Sequence, residues 1–197
     1  MVHACLPVVR GAFRAWGISK YRSSLPLHAE DLSTMRPFAP LADIESVLPI
    51  LSEIAIFGGF LEQQLHEIFK YIEEGVFDQG EYIFQKGDEP SYIYIVKKGK
   101  IDLLITDQKV VLKKKTLAVG DCFGEASLMA MHKHTATAVA LEDSQIMVLS
   151  RRALLQLRKE DTALFSLLMM NIARELARRL ELTDEILLHY IKTLKDA

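Results

Sequence analysis

The feature that most constrains this chain is a change of hydrophobic period. Between Gly75 and Leu149 apolar residues alternate at a step of two, while on either side they recur at steps of three and four. Tyr82–Phe84, Tyr92–Val96, Ile101–Ile105, Val110–Leu112, Thr135–Leu141 and Ile146–Leu149 are strand-length and rich in β-branched or aromatic residues. Gly80, Gly87, Gly99, Gly120 and Gly124 punctuate them. Many short strands with glycine turns must close on one another to bury their apolar sides, so the segment reads as a small antiparallel barrel or jelly roll. The fold class expected is mainly β with flanking helices (α+β): an antiparallel β-barrel or jelly roll with N-terminal helices and a long C-terminal helix.

Helical patterning covers Leu41 to Glu74, broken at Gly58-Gly59, and everything from residue 150 to 197. Inside the barrel, Glu125 to Met131 has good helix formers and no β-branching, which predicts one or two helical turns. Arg151 to Lys159 forms a short helix. A long one follows from about Thr162 to Lys195, with Asp161 as its N-cap. At ~1.5 Å per residue it is a rod of roughly 50 Å. Met169, Ala173, Leu176, Leu180, Thr183, Leu187, Tyr190 and Leu194 follow one another at alternating steps of four and three, the seam of a two-stranded coiled coil. This predicts a homodimer through residues 169–194. The alternative is a helix packed wholly on its own domain. A second stripe, Leu164, Phe165, Leu168 and Ile172, faces the barrel.

With 24 basic and 26 acidic residues the formal charge is −2, so no bulk basic field argues for nucleic acid. Cys5 and Cys122 form no CxxC pair, which excludes a cysteine-held zinc or iron–sulfur cluster and fits a cytoplasmic setting. No run reaches the ~18–20 apolar residues of a membrane span. The first 29 residues hold four basic and no acidic residues. Residues 1–34 therefore read as a leader, disordered or a mis-assigned start before Met35, with organelle targeting as the alternative. Residues 35–197 form the domain: helices 41–74, barrel 75–149 and C-terminal helices 150–197.

The densest chemical signal is Phe123-Gly124-Glu125-Ala126-Ser127-Leu128, followed by His134-Thr135-Ala136-Thr137. Gly124 lets backbone approach a ligand closely. The helix opening at Glu125 presents free N–H groups, an anion site by construction. Glu125 would repel a phosphate there unless it faces a hydroxyl donor such as a ribose 2′-OH, and Thr135 has a hydroxyl to give the anion. Spacing alone thus points to a sugar-phosphate pocket in a β-barrel, with no metal and no resident cofactor.

These residues resemble the phosphate-binding cassette of cyclic-nucleotide-binding domains. Upstream, Gly87-Asp88, Ile93-Tyr94-Ile95-Val96 and Gly99 resemble that family's first barrel signature, although Phe84 and Pro90 depart from its usual small or aliphatic choices. Downstream, Leu176-Ala177-Arg178-Arg179-Leu180-Glu181-Leu182-Thr183 is similar to the dimer helix of its catabolite-activator branch. The resemblance covers roughly Leu41 to Ala197, with three blocks in the right order. It implies that Gly124, Ala126, Ser127 and Ala136 cradle a cyclic phosphate with their backbone or small side chains. It further implies that Glu125 holds the ribose 2′-OH, that Thr135 contacts phosphate or base, and that Thr183 reaches the base across the dimer seam. Thr183 is followed by Asp184 where the branch usually has a second hydroxyl. The implied ligand is cyclic AMP or cyclic GMP. The activator branch continues into a helix-turn-helix, and this chain stops at Ala197, so no DNA binding by itself is expected. An unidentified partner protein would carry the output.

One departure stands out. Where the family places an arginine against the phosphate oxygens, this chain has His134, which is shorter and mostly neutral at pH 7. Losing one charge-assisted contact costs about 1.5–3 kcal/mol. Two readings follow: a cyclic-nucleotide sensor that binds weakly, and better once His134 is protonated, or a degenerate dimerisation or docking scaffold. A third, a cupin-like metal enzyme built on His132 and His134 with Glu142, His66 or His189, lacks the carboxylate spacing, and the two histidines read instead as solvent-facing loop residues. Arg151, Arg152, Arg174, Arg178 and Arg179 have acidic neighbours on their own helices and need no partner. Lys97-Lys98 and Lys113-Lys114-Lys115 read as solubilising turn and edge-strand charges, Cys122 as a small buried hydrophobe, and Met129, Met131, Met147, Met169 and Met170 as core filler.

Overall fold

The computed structural model describes residues 38–107 and 110–195; the expected leader, 1–34, and the start at Met35 lie outside them. Nine strands among the described residues form two antiparallel sheets. The first has the order β1-β2-β9-β4-β7, from β1 (Ala39–Pro40), β2 (Ile72–Phe77), β9 (Ser144–Ser150), β4 (Tyr92–Lys98) and β7 (Cys122–Phe123). The second has the order β3-β8-β5-β6, from β3 (Tyr82–Phe84), β8 (Thr137–Ala140), β5 (Ile101–Asp107) and β6 (Val110–Leu117). This is the antiparallel jelly-roll architecture with flanking helices that the period predicts.

Tyr94, Val96, Ile146 and Val148 of the first sheet meet Ile101, Leu117, Ala138 and Ala140 of the second in one buried cluster. Alternate positions on the same strands, Ile93, Ile95, Met147 and Leu149, join the helices in another. β4 and β9 are therefore buried on both faces, which is why they read as unbroken apolar runs.

The N-terminal helices are shorter than expected: α1 (Leu48–Glu53), a 3-10 turn (Ala55–Phe57) and α2 (Glu62–Phe69). Residues 72–74 are not helical but open β2, with Ile72 opposite Leu149 and Phe77 opposite Ser144. Ile68 and Ile72 fit a helical step, and pairing with β9 overrides it. The continuous run of strands thus begins at Ile72 rather than Gly75, and β1 pairs with β2 from upstream of the helices. β6 runs on to Leu117, so the three lysines lie within a strand. Lys113 reaches Asp102 at 3.2 Å and Lys115 reaches Asp121 at 3.0 Å. Lys97 is likewise paired, with Glu74 at 2.6 Å, and is not simply a solubilising charge.

The remaining helices are α3 (Glu125–Ala130), α4 (Arg151–Glu160) and α5 (Thr162–Lys195). Ser150 caps α4, its Oγ accepting from Ala153 N at 3.0 Å. Asp161 caps α5 as expected, its Oδ1 accepting from Leu164 N at 2.8 Å. Leu164, Leu168 and Ile172 are buried in the cluster that holds Ile56, Phe57, Leu154 and Leu157. Asn171, also buried, donates from Nδ2 to Gly58 O at 2.8 Å and Ile56 O at 3.2 Å, locking α5 to the 3-10 turn. Beyond Arg179 α5 leaves its own domain: Leu180 and Leu187 are 63% and 54% exposed. The reading of a helix packed wholly on its own domain fails for this half. No helix among the described residues is long and apolar enough to cross a membrane.

Candidate functional site

The cassette begins where β7 ends. Gly124 caps α3 with φ +80, and a Cβ there would lie 2.7 Å from Tyr94 Cδ2 and 3.2 Å from Tyr92 O. The glycine is required by this close approach to β4 and by its left-handed backbone. The bare face expected to meet a ligand meets a tyrosine ring in this structure.

Glu125, the first residue of α3, is buried. Its Oε1 accepts from Arg179 Nη1 at 2.5 Å. The same guanidinium donates from Nη2 to Cys122 O at 2.6 Å and from Nε to Glu175 Oε1 at 2.7 Å. Arg179 thus has a partner 54 residues away in sequence, contrary to the expectation that its own helix satisfies it. Only the neighbouring Glu175 was visible as a signal, and it does not point to Glu125. Burial pushes the Glu125 carboxyl up from the usual carboxylate range, opposed by the pull of Arg179. Hydrogen bonds from Arg178, and next from Arg179, hold Glu175 below that range in spite of burial. Cys122 is the buried small side chain expected. Burial, then the Glu125 charge, raise its thiol well above the ordinary value, so it stays protonated. Its Sγ lies 3.8 Å from Glu125 Oε2.

His134 lies at the far end of the cassette and is not a solvent-facing loop residue: it is only 3% exposed. Its main chain joins it to the β3–β4 turn, with His134 N donating to Asp88 O at 2.9 Å and Gly87 N donating to His134 O at 2.8 Å. Two of the separated sequence blocks meet here. The imidazole stacks on Phe84 with centroids 3.7 Å apart and planes within 9°. Phe84, Tyr94, Phe123 and His134 form one aromatic wall. His134 Nε2 is enclosed with no hydrogen-bond partner. Burial lowers the imidazole from its ordinary value, against the pull of Asp88. Protonation as a substitute for the missing arginine therefore runs against the site it sits in.

The other expected residues divide between inside and outside. Ser127 is buried, Ala136 half-buried, and Ala126 and Thr135 are exposed. Thr183 is exposed one turn beyond Arg179 and donates to Arg179 O at 2.8 Å. The structure therefore joins Glu125 and the Cys122 carbonyl to α5 through Arg179, and His134 to the β3–β4 turn. A cleft of about 320 Å³ opens on the Arg179 side, bordered by Glu53, Gly120, Asp121, Cys122, Glu175 and Arg178. His134 and Thr135 do not line it. Among the described residues no group of three or more histidines, cysteines or carboxylates is arranged to hold a metal. Met131 and Met170 are 78% and 54% exposed, so neither fills the core, whereas Met147 is fully buried.

Residues 74–161 match the family model described as the cyclic nucleotide-binding domain. The chain is 33% identical over 132 residues to the cyclic AMP receptor protein of Thermus thermophilus, covering 66% of this chain and 58% of that protein. It is 38% identical over 104 residues to the regulatory subunit of a cAMP-dependent protein kinase from Eremothecium gossypii, covering 50% of this chain and 22% of that protein. The crystal structure of the Thermus thermophilus catabolite activator protein superposes with a TM-score of 0.62 at 31% identity, covering 68% of this chain and 61% of that one. The chain spans less than two thirds of the length of each of these relatives.

Proposed function

Because this chain belongs to the cyclic nucleotide-binding domain family, we propose that it is a regulatory module, not an enzyme. In this reading it senses cyclic AMP or cyclic GMP at the α3 cassette and passes the signal along α5. The observation that carries the proposal is the Arg179 guanidinium, which holds Glu125 and Cys122 O at the cassette while being part of α5. A ribose hydroxyl donating to Glu125 competes with Arg179 for the same carboxylate, so ligand and helix position are linked. The ligand biases α5 only by its differential affinity for two arrangements.

The output passes through a second copy and a partner protein in the cytoplasm. Leu180 and Leu187 of the heptad seam are exposed, which supports a parallel homodimer through residues 169–194. Calorimetric titration of the full chain with cyclic AMP and with cyclic GMP tests the proposal. Saturable binding that changes with Arg179→Gln is the expected result; no binding of either ligand contradicts it. The neutral, buried His134 favours a second reading, a docking scaffold that needs no ligand, which the same absence of binding would support.

A further inference from the structure

The outer face of α4 carries positive charge that the described residues leave unpaired. Ala153, Leu154 and Leu157 turn into the core, while Arg151, Arg152, Leu155, Arg158 and Lys159 are exposed. The expectation that acidic neighbours on their own helix satisfy Arg151 and Arg152 fails. The one carboxylate of α4, Glu160, accepts instead from Tyr71 Oη at 2.5 Å and from Gln156 Nε2 at 2.9 Å. None of the four basic side chains forms a hydrogen bond or ion pair with a described residue. Arg151 and Arg152 also open the helix, where its dipole disfavours positive charge, and no acidic residue accompanies them in the first turn.

The spacing of these residues defines a footprint. On a helix surface the neighbours of a residue are those three and four positions away. Around Leu155, which is 48% exposed, they are Arg152 and Arg158 at three and Arg151 and Lys159 at four. All four are basic, so the leucine stands inside a ring of cations ~12 Å long, at ~1.5 Å per residue. An apolar centre with a charged rim is the anatomy of a protein interface. Its complement is an apolar side chain flanked by carboxylates. Nucleic acid answers the charges and leaves Leu155 without a partner, since phosphate contacts are polar. A membrane surface needs a broader apolar face than one leucine. The face lies outside residues 169–194, so pairing of two copies along that seam does not use it.

We infer that the outer face of α4 docks an acidic protein segment that carries an apolar side chain among its carboxylates. The inference gives the output partner its chemistry and rests on the reading of this chain as a regulatory module, whether or not the cassette takes a ligand. The capped peptide Glu-Glu-Ala-Ala-Leu-Ala-Ala-Glu-Glu mirrors the ring and serves as the probe. Chemical-shift titration of the isotope-labelled full chain with this peptide at low ionic strength tests the inference. Saturable shifts centred on residues 151–159 are expected. Arg151→Gln/Arg152→Gln should weaken binding roughly 3- to 30-fold, and Leu155→Ser roughly 3- to 10-fold. Relieved of its clash with the dipole, the double glutamine variant should melt no lower than wild type, so that lost binding is not lost folding. No shifts in α4 at millimolar peptide, or unchanged binding in either variant, would overturn the inference. So would tighter binding to a DNA duplex or to phosphatidylserine vesicles that Leu155→Ser leaves unchanged, the mark of a general polyanion surface. Peptide binding without cyclic nucleotide binding would keep this inference and contradict the sensor reading; the reverse would overturn this inference alone.

Discussion

Arg179, on the long C-terminal helix, donates to the carboxylate of Glu125, the first residue of the cassette helix, at 2.5 Å, with the Glu125 side chain 2% exposed. One guanidinium also takes the Cys122 carbonyl at 2.6 Å. A single side chain therefore fixes the distance between α5 and the end of β7.

Removing that side chain strands a buried carboxylate. Arg179→Gln is expected to lower unfolding stability by about 2–4 kcal/mol, toward the low end for a broken buried pair because the guanidinium keeps some solvent. Part of the loss should return in the double variant Arg179→Gln/Glu125→Gln, where no charge is orphaned. Urea denaturation of the three proteins checks this, and an additive double variant would show that the two residues act independently.

Asn171 is buried and bridges α5 to the 3-10 turn through two backbone carbonyls. Asn171→Leu leaves those carbonyls without that donor and should cost about 1–3 kcal/mol. The same denaturation measurement would contradict this with a variant as stable as wild type.

Met131 has φ +55 and is 78% exposed at the C-terminus of α3. A left-handed backbone costs a non-glycine residue roughly 1–2 kcal/mol, partly offset by the freedom glycine loses on folding. Met131→Gly is expected to raise the melting temperature by ~2–4 °C. A lower melting temperature would mean that the methionine side chain makes stabilising contacts outweighing the strain.

How legible these features were depended on their range in sequence. Asp161 and the helix it caps could be read from local chemistry, as could α3, because capping and helix propensity act within a few residues. Glu125 and Gly124 stood out because the cassette is contiguous. The border at Ile72 could not be read, since its apolar spacing fits helix and strand alike and only pairing with Leu149 decides it. Arg179 was hidden for the same reason: its partner lies across the fold, while a plausible local partner, Glu175, stood one turn away. The departure at His134 was visible, but its burial against Phe84 was not, because stacking depends on how β3 packs beside the loop that ends the cassette.

Stability should fall in acid through His134. Its folded value lies below the ordinary 6.5, chiefly through burial. The unfolded chain therefore binds more protons in that range. The stabilisation is fully present above about pH 6.5 and is lost as pH falls through the lowered folded value. His134→Gln should flatten the slope of urea midpoint against pH over this window. Glu125, whose carboxyl is raised, works in the opposite direction, and it cancels in the comparison between the two proteins. Equal slopes would contradict a buried neutral imidazole.

The central claim is that the cassette and the long helix are linked through Arg179. Hydrogen exchange of residues 162–195, with and without saturating cyclic AMP or cyclic GMP, tests it most directly. The account predicts that at least one ligand changes protection around residues 175–187 in the wild-type chain, and that the change is lost in Arg179→Gln. Identical exchange with and without every ligand, or an undiminished response in Arg179→Gln, would contradict it.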